Sequence, residues 1–104
     1  MKTSGIVYPE YMRYMATHEL NRMGWESFHT ENFKEAVQAW EASADKGNLD
    51  AKYWLGWRYL HGEGVDKKPE VTKRLWEELS NIGMAKAQNA LAWRYCNGDI
   101  VKRD

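Results

Sequence analysis

The sequence predicts an all-α protein: a single domain built as a right-handed α-solenoid of about two and a half helix-pair repeats. Three observations point there. The stretch LGWRYLHGEGV at residues 55–65 returns thirty-six residues later as LAWRYCNGDIV, residues 91–101. The chain has only two prolines, Pro9 and Pro69, and no run of β-branched residues to support strands. Between its glycine stops, apolar residues recur at helical spacing.

The register of the repeat is dense. Leu55, Gly56, Trp57, Arg58 and Tyr59 match Leu91, Ala92, Trp93, Arg94 and Tyr95. Trp40, Gly47 and Ala51 match Trp76, Gly83 and Ala87. A third copy lies earlier: Met23-Gly24-Trp25 matches Leu55-Gly56-Trp57 at a shift of thirty-two, shorter by the four residues of the GEGV turn. Self-similarity at this period is the signature of stacked supersecondary units. The units fall at about residues 17–48, 49–84 and, in part, 85–104, the last without a second helix.

Each helix has its own argument. Residues 9–29 read as the first, with Pro9 suited to an opening turn. Its early Tyr8, Tyr11, Met12, Tyr14 and Met15 either cap the end of the stack or offer an apolar surface to a partner or second copy. Residues 32–46 carry the stripe Phe33, Ala36, Val37, Trp40 and Ala44, and Gly47 follows as a stop. Residues 50–60 form the third helix, broken by Gly62 and Gly64. Pro69 opens the fourth, with Val71, Leu75, Trp76 and Leu79 inward and Gly83 as its stop. Residues 85–96 form the fifth, stopped by Gly98. Ala51, Gly56, Ala87 and Ala92 are small where one helix must approach another.

Composition narrows the function. Hydrophobic residues make up 43% of the 104 and charged residues 29%, a globular balance. Fifteen basic and fifteen acidic residues leave no net charge, which argues against general nucleic-acid binding. The single cysteine, Cys96, excludes an internal disulfide. No segment suits a signal peptide or a membrane span, so a cytoplasmic location without membrane contact is expected. Six Trp and six Tyr against two Phe favour rings that keep a polar edge at a surface.

The pattern Ala51, Leu55, Gly56, Tyr59, Gly62, Gly64, Val65, then Thr72, Trp76 and Gly83, resembles the Sel-1-like repeat, a variant of the tetratricopeptide repeat. The first unit is similar to a plain tetratricopeptide unit through Met23, Gly24, Phe33, Ala36 and Trp40. Three positions depart from the pattern. Arg58 and Arg94 replace an apolar residue, Ile100 replaces the second loop glycine, and Thr72 replaces a small alanine.

The resemblance implies a scaffold or adaptor whose first helices line a concave groove. In that register the groove positions are His18, Asn21, Trp25 and His29; Asp50, Tyr53, Trp57 and His61; and Lys86, Asn89, Trp93 and Asn97. Trp25, Trp57 and Trp93 would form a continuous aromatic floor, with Asn side chains to bind a partner's backbone. Arg58 and Arg94 either grip an acidic partner or, as the simpler reading, pair within the chain and lie over aromatic rings.

Chemistry is harder to find. His18-Glu19 lacks the spacing of a helical metal pair, and His29 with His61 makes a poor metal site, so no metal or cofactor is expected. GEGV leaves a helix, unlike a phosphate-cradling loop, and no Ser-His-acid or Cys-His set stands out. The run DKKPEVTKR reads as a solvated loop and exposed helix start. The expectation is a non-enzymatic adaptor holding a protein or peptide segment, with a homodimer through terminal helices as a further expectation. The alternative is a small inhibitor or immunity-type protein that blocks one toxin or enzyme.

Overall fold

The computed structural model describes residues 3–98 and 100. Among them are five α-helices and no strand. They are α1 (Thr17–His29), α2 (Phe33–Asp45), α3 (Leu49–His61), α4 (Pro69–Asn81) and α5 (Ala85–Asn97). Helices α2 to α5 match the expected bounds to within two residues. The main packing joins successive helices, α1 with α2 through to α4 with α5. Asn32 and Asn48 start α2 and α3 by accepting the Glu35 and Ala51 N–H groups at 3.4 and 2.9 Å.

The expected first helix is two elements. A 3-10 helix spans Glu10–Tyr14, and extended backbone at Met15 and Ala16 separates it from α1. The Glu19 carboxylate accepts the Ala16 N–H at 3.0 Å, which fixes the start of α1. The break lays residues 10–14 against α2, where Met12 is fully buried with Leu20, Ala39 and Ala42. Tyr8 and Met15 pack on the same cluster, whereas Tyr11 and Tyr14 point to solvent.

The repeated Gly-Trp pairs explain the core. A β-carbon on Gly24 would stand 2.2 Å from Trp40 Nε1, and one on Gly56 would stand 2.1 Å from Trp76 Nε1. Only glycine lets the second-helix indole lie this close to the first helix. Trp40 and Trp76 are fully buried, and Trp76 donates its indole N–H to the Tyr53 carbonyl at 3.1 Å. Thr72 is also fully buried and donates to the Gly56 carbonyl at 2.6 Å. The departure from alanine thus gives a hydrogen bond between α4 and α3.

The two helix connections differ as the repeat lengths predict. Residues 30–32 make the tight α1–α2 turn, with Glu31 in the left-handed region at φ 62. Residues 62–68 make the longer α3–α4 loop. There Gly64, at φ 79, brings its backbone against the Phe33 carbonyl, where a β-carbon would stand 2.4 Å away. Ile100, its counterpart, is buried. Val101 and the last three residues lie outside the described residues.

Residues 3–8 run as an irregular strap against α2 and α4, with Gly5 in the left-handed region at φ 82. Glu41 is fully buried and accepts the Ser4 N–H, the Ser4 hydroxyl and the Gly5 N–H at 2.9, 2.7 and 3.0 Å. Asp45 accepts the Thr3 N–H at 2.6 Å and the Tyr8 hydroxyl at 2.8 Å. From α4, Arg74 donates to the Thr3 carbonyl at 3.2 Å. Burial pushes the Glu41 carboxyl above the usual carboxylate range, with the Ser4 and Gly5 bonds opposing it. Burial, then the bond to Asp45, pushes the Tyr8 phenol up to about 12.

Candidate functional site

Trp25 and Phe28 of α1 and Tyr53, Trp54 and Trp57 of α3 are half-buried, and Tyr59 is buried. Trp25 meets Trp40 edge-on at 5.0 Å and Trp54 at 5.1 Å, and His29 lies against its ring at 6.0 Å. Trp57 meets Trp76 at 4.9 Å and stacks on His61 at 5.7 Å with 13° between the planes. One side of each ring therefore supports the core, and the other carries an exposed imidazole. Such edge-to-face contacts add to the stabilisation from buried area.

The continuous aromatic floor expected from the register does not form. None of the Trp25, Trp57 and Trp93 rings touches another. Trp54, which has no aromatic counterpart in the other repeats, reaches back to Trp25 instead. Between α3 and α5 the bridging groups are cations. Lys86 Nζ lies 4.9 Å from the Tyr53 ring centre, and the Arg94 guanidinium lies 5.4 Å from that of Trp57. Trp93 stands apart, 60% exposed.

The other groove positions fall at the surface. Asn21 donates to the Asn48 side chain at 3.3 Å, and Asp50 pairs with Lys86 at 2.7 Å. Tyr53 stacks on Trp76 at 5.6 Å. His18, His29, His61, Asn89 and Asn97 are exposed. Among the described residues no three His, Cys, Asp or Glu side chains gather as a metal site would require. No helix among them is long and apolar enough to cross a membrane.

The arginines lie over rings of the preceding repeat. The Arg58 guanidinium sits 4.3 Å from the Phe28 ring centre and pairs with Glu63 at 3.0 Å. Burial lowers its pKa from the usual arginine value, and the Glu63 charge opposes that. This is the in-chain arrangement that the sequence favoured for Arg58. Arg94 takes the same kind of place over Trp57 and also lines a small cavity with Leu60, His61, Lys67 and Pro69.

The chain matches no family model, no curated protein and no solved structure. The likeness to the Sel-1-like repeat thus rests on its own residues, and the face of α1, α3 and α5 has to be read from its chemistry. Sequence reasoning missed Trp54, which the repeat register left unassigned.

Proposed function

We propose that the protein is a non-enzymatic interaction module of the Sel-1-like, tetratricopeptide-like kind. Its helix pairs stack as a short right-handed solenoid, and the face of α1, α3 and α5 receives a protein or peptide segment. The observation that carries this reading is the seam between α3 and α5. There Trp57 is stacked by His61, crossed by Arg94, and neighboured along α5 by the exposed Trp93. Large, rigid, amphipathic rings beside cations are the groups most often found at the centre of binding surfaces. A Trp held against a core residue is also preorganised, so little side-chain freedom is lost when a partner binds.

The test is a peptide selection against the full chain, followed by affinity measurements on variants. Trp93→Ala should weaken the selected peptides by about 2 kcal/mol, the scale of a binding hot spot. His18→Ala, at the far end of the same face, should have less effect. Peptides that bind Trp93→Ala and wild type alike would remove the groove reading. A single tight protein target, indifferent to Trp93 and Trp57, would instead favour the inhibitor alternative.

A further inference from the structure

We propose that the cleft between α4 and α5 is a second peptide site. It takes a short segment of a partner protein built like the chain's own strap: a small hydroxyl residue, then glycine, then an aliphatic residue. The inference rests on the repeat and the strap, and not on the reading of the α1, α3 and α5 face. The cleft measures about 470 Å³, within the ~300–1,000 Å³ typical of ligand pockets. Glu77 and Asn81 line it from α4, and Gln88, Leu91, Ala92 and Tyr95 line it from α5.

Thirty-six residues earlier these positions are Glu41, Asp45, Lys52, Leu55, Gly56 and Tyr59. They belong to α2 and α3, and there they are already covered. Trp76 of α4 lies over Gly56, and the strap lies over Glu41 and Asp45. Glu41 accepts two successive strap N–H groups and the Ser4 hydroxyl, which also bonds the Tyr59 phenol. A carboxylate and a phenol on neighbouring helices thus hold one serine between them.

The α4–α5 cleft repeats that pair. The Tyr95 hydroxyl donates to Glu77 Oε2 at 3.3 Å, longer than the ~2.5–2.7 Å of a strong bond to a carboxylate. Little is therefore lost when a serine hydroxyl takes its place, as Ser4 does between Glu41 and Tyr59. Asn81 supplies an amide oxygen where Asp45 accepts the Thr3 N–H. Leu91 is buried at the base as Leu55 is. The difference is in the cover. Glu41 and Gly56 are buried, whereas Glu77 is half-buried and Ala92 is exposed.

Ala92 decides between kinds of occupant. A β-carbon on Gly56 would stand 2.1 Å from Trp76 Nε1. Ala92 carries that β-carbon, so a helix with a tryptophan in the place of Trp76 cannot approach α5 in the same way. A segment like the strap has no need of that position, because its bonds go to the carboxylate and the phenol. The bond from Arg74 to the Thr3 carbonyl has no counterpart among the lining residues of the α4–α5 cleft. A segment there is held from one side and exchanges readily.

The probe is a capped, dye-labelled peptide with the sequence of residues 3–8, Thr-Ser-Gly-Ile-Val-Tyr. Fluorescence anisotropy of the peptide, titrated with the full-length chain, should show saturable one-to-one binding. Glu77→Gln should weaken it by about tenfold, as loss of hydrogen bonds to a charged group implies, while circular dichroism stays helical. The peptide with alanine in place of its serine should bind the wild-type chain more weakly too, a comparison that needs no variant to fold. Absence of saturation would overturn the site, and so would equal binding of the serine and alanine peptides. Binding that survives in folded Glu77→Gln and rises in Glu41→Gln would place the peptide in the strap's own cleft and overturn it as well. Self-association of the chain alone, lost in Glu77→Gln, would make the strap of a second copy the occupant and overturn the assignment to a partner protein.

Discussion

The indole nitrogen of Trp76 occupies the space a β-carbon would need on Gly56: the two would be 2.1 Å apart. The backbone of α3 and the side chain of α4 therefore fit only while residue 56 has no side chain. Gly56→Ala should force Trp76 aside and destabilise the protein by roughly 1–3 kcal/mol, the usual cost of overpacking. Denaturant melts of Gly56→Ala, Trp76→Leu and the double variant should show the double costing less than the sum. Strict additivity would mean that the two residues do not compete for one space.

Thr72 tests the same helix pair through a polar atom. Thr72→Val keeps the shape and removes the hydroxyl that bonds the Gly56 carbonyl. The expected loss is about 1 kcal/mol, the typical net worth of a buried hydrogen bond. A melt indistinguishable from wild type would show that the carbonyl is satisfied without Thr72.

Trp57 and Trp93 should behave differently although they are repeat counterparts. Trp57 braces Trp76, so Trp57→Ala should cost about 2 kcal/mol of stability, less than the ~3–5 kcal/mol of a fully buried ring. Trp93 is largely exposed, and Trp93→Ala should stay within about 0.5 kcal/mol of wild type. Equal losses would place the two rings in the same environment.

Glu41 should give a pH-dependent signature. Its carboxyl in the folded protein holds a proton above the ordinary value of 4.5, because burial disfavours the charge. Between that value and the raised one, the folded chain keeps a proton that the unfolded chain has released. Stability from this group therefore falls as pH rises through the raised pKa, and is regained as pH falls to 4.5. Melts of wild type and Glu41→Gln across acid to neutral pH should show the wild-type advantage shrinking as pH rises. A constant difference would mean that Glu41 titrates alike in both states.

At the other end of the scale, Tyr8 keeps its proton in the folded chain to about 12, against an ordinary value of 10.0. The contribution of its bond to Asp45 is complete below 10.0 and is lost as pH rises through about 12. Absorbance of tyrosinate in wild type and Tyr8→Phe should differ by one late-titrating phenol.

How much of this was readable beforehand depended on repetition. Gly24, Gly56, Trp40 and Trp76 were legible because two copies of one packing solution stand in one chain. The turn after α1 and the longer loop after α3 were legible from the four-residue difference in spacing. The break at Met15 and Ala16 was not, because Tyr11, Met12 and Met15 also suit a continuing helix. The strap was hidden for another reason. An irregular segment held through its backbone leaves no periodic trace, and its anchors Glu41 and Asp45 are residue types that a pattern assigns to solvent. The interruption of the aromatic floor followed from Trp54, whose counterpart Ala90 has no ring to pass the contact onward.

The strap has a consequence for time as well as for stability. Its bonds to Gln38 and Arg74 join positions 31 and 71 residues apart, whereas the helix pairs close over short distances along the chain. Distant closure is slow relative to local closure, so the helices are expected to assemble before the strap is placed. A contact made after the rate-limiting step leaves the folding rate alone and slows only the reverse reaction. Loosening the Ser4 and Gly5 bonds to Glu41 should therefore shorten the lifetime of the native state while leaving refolding as fast as before.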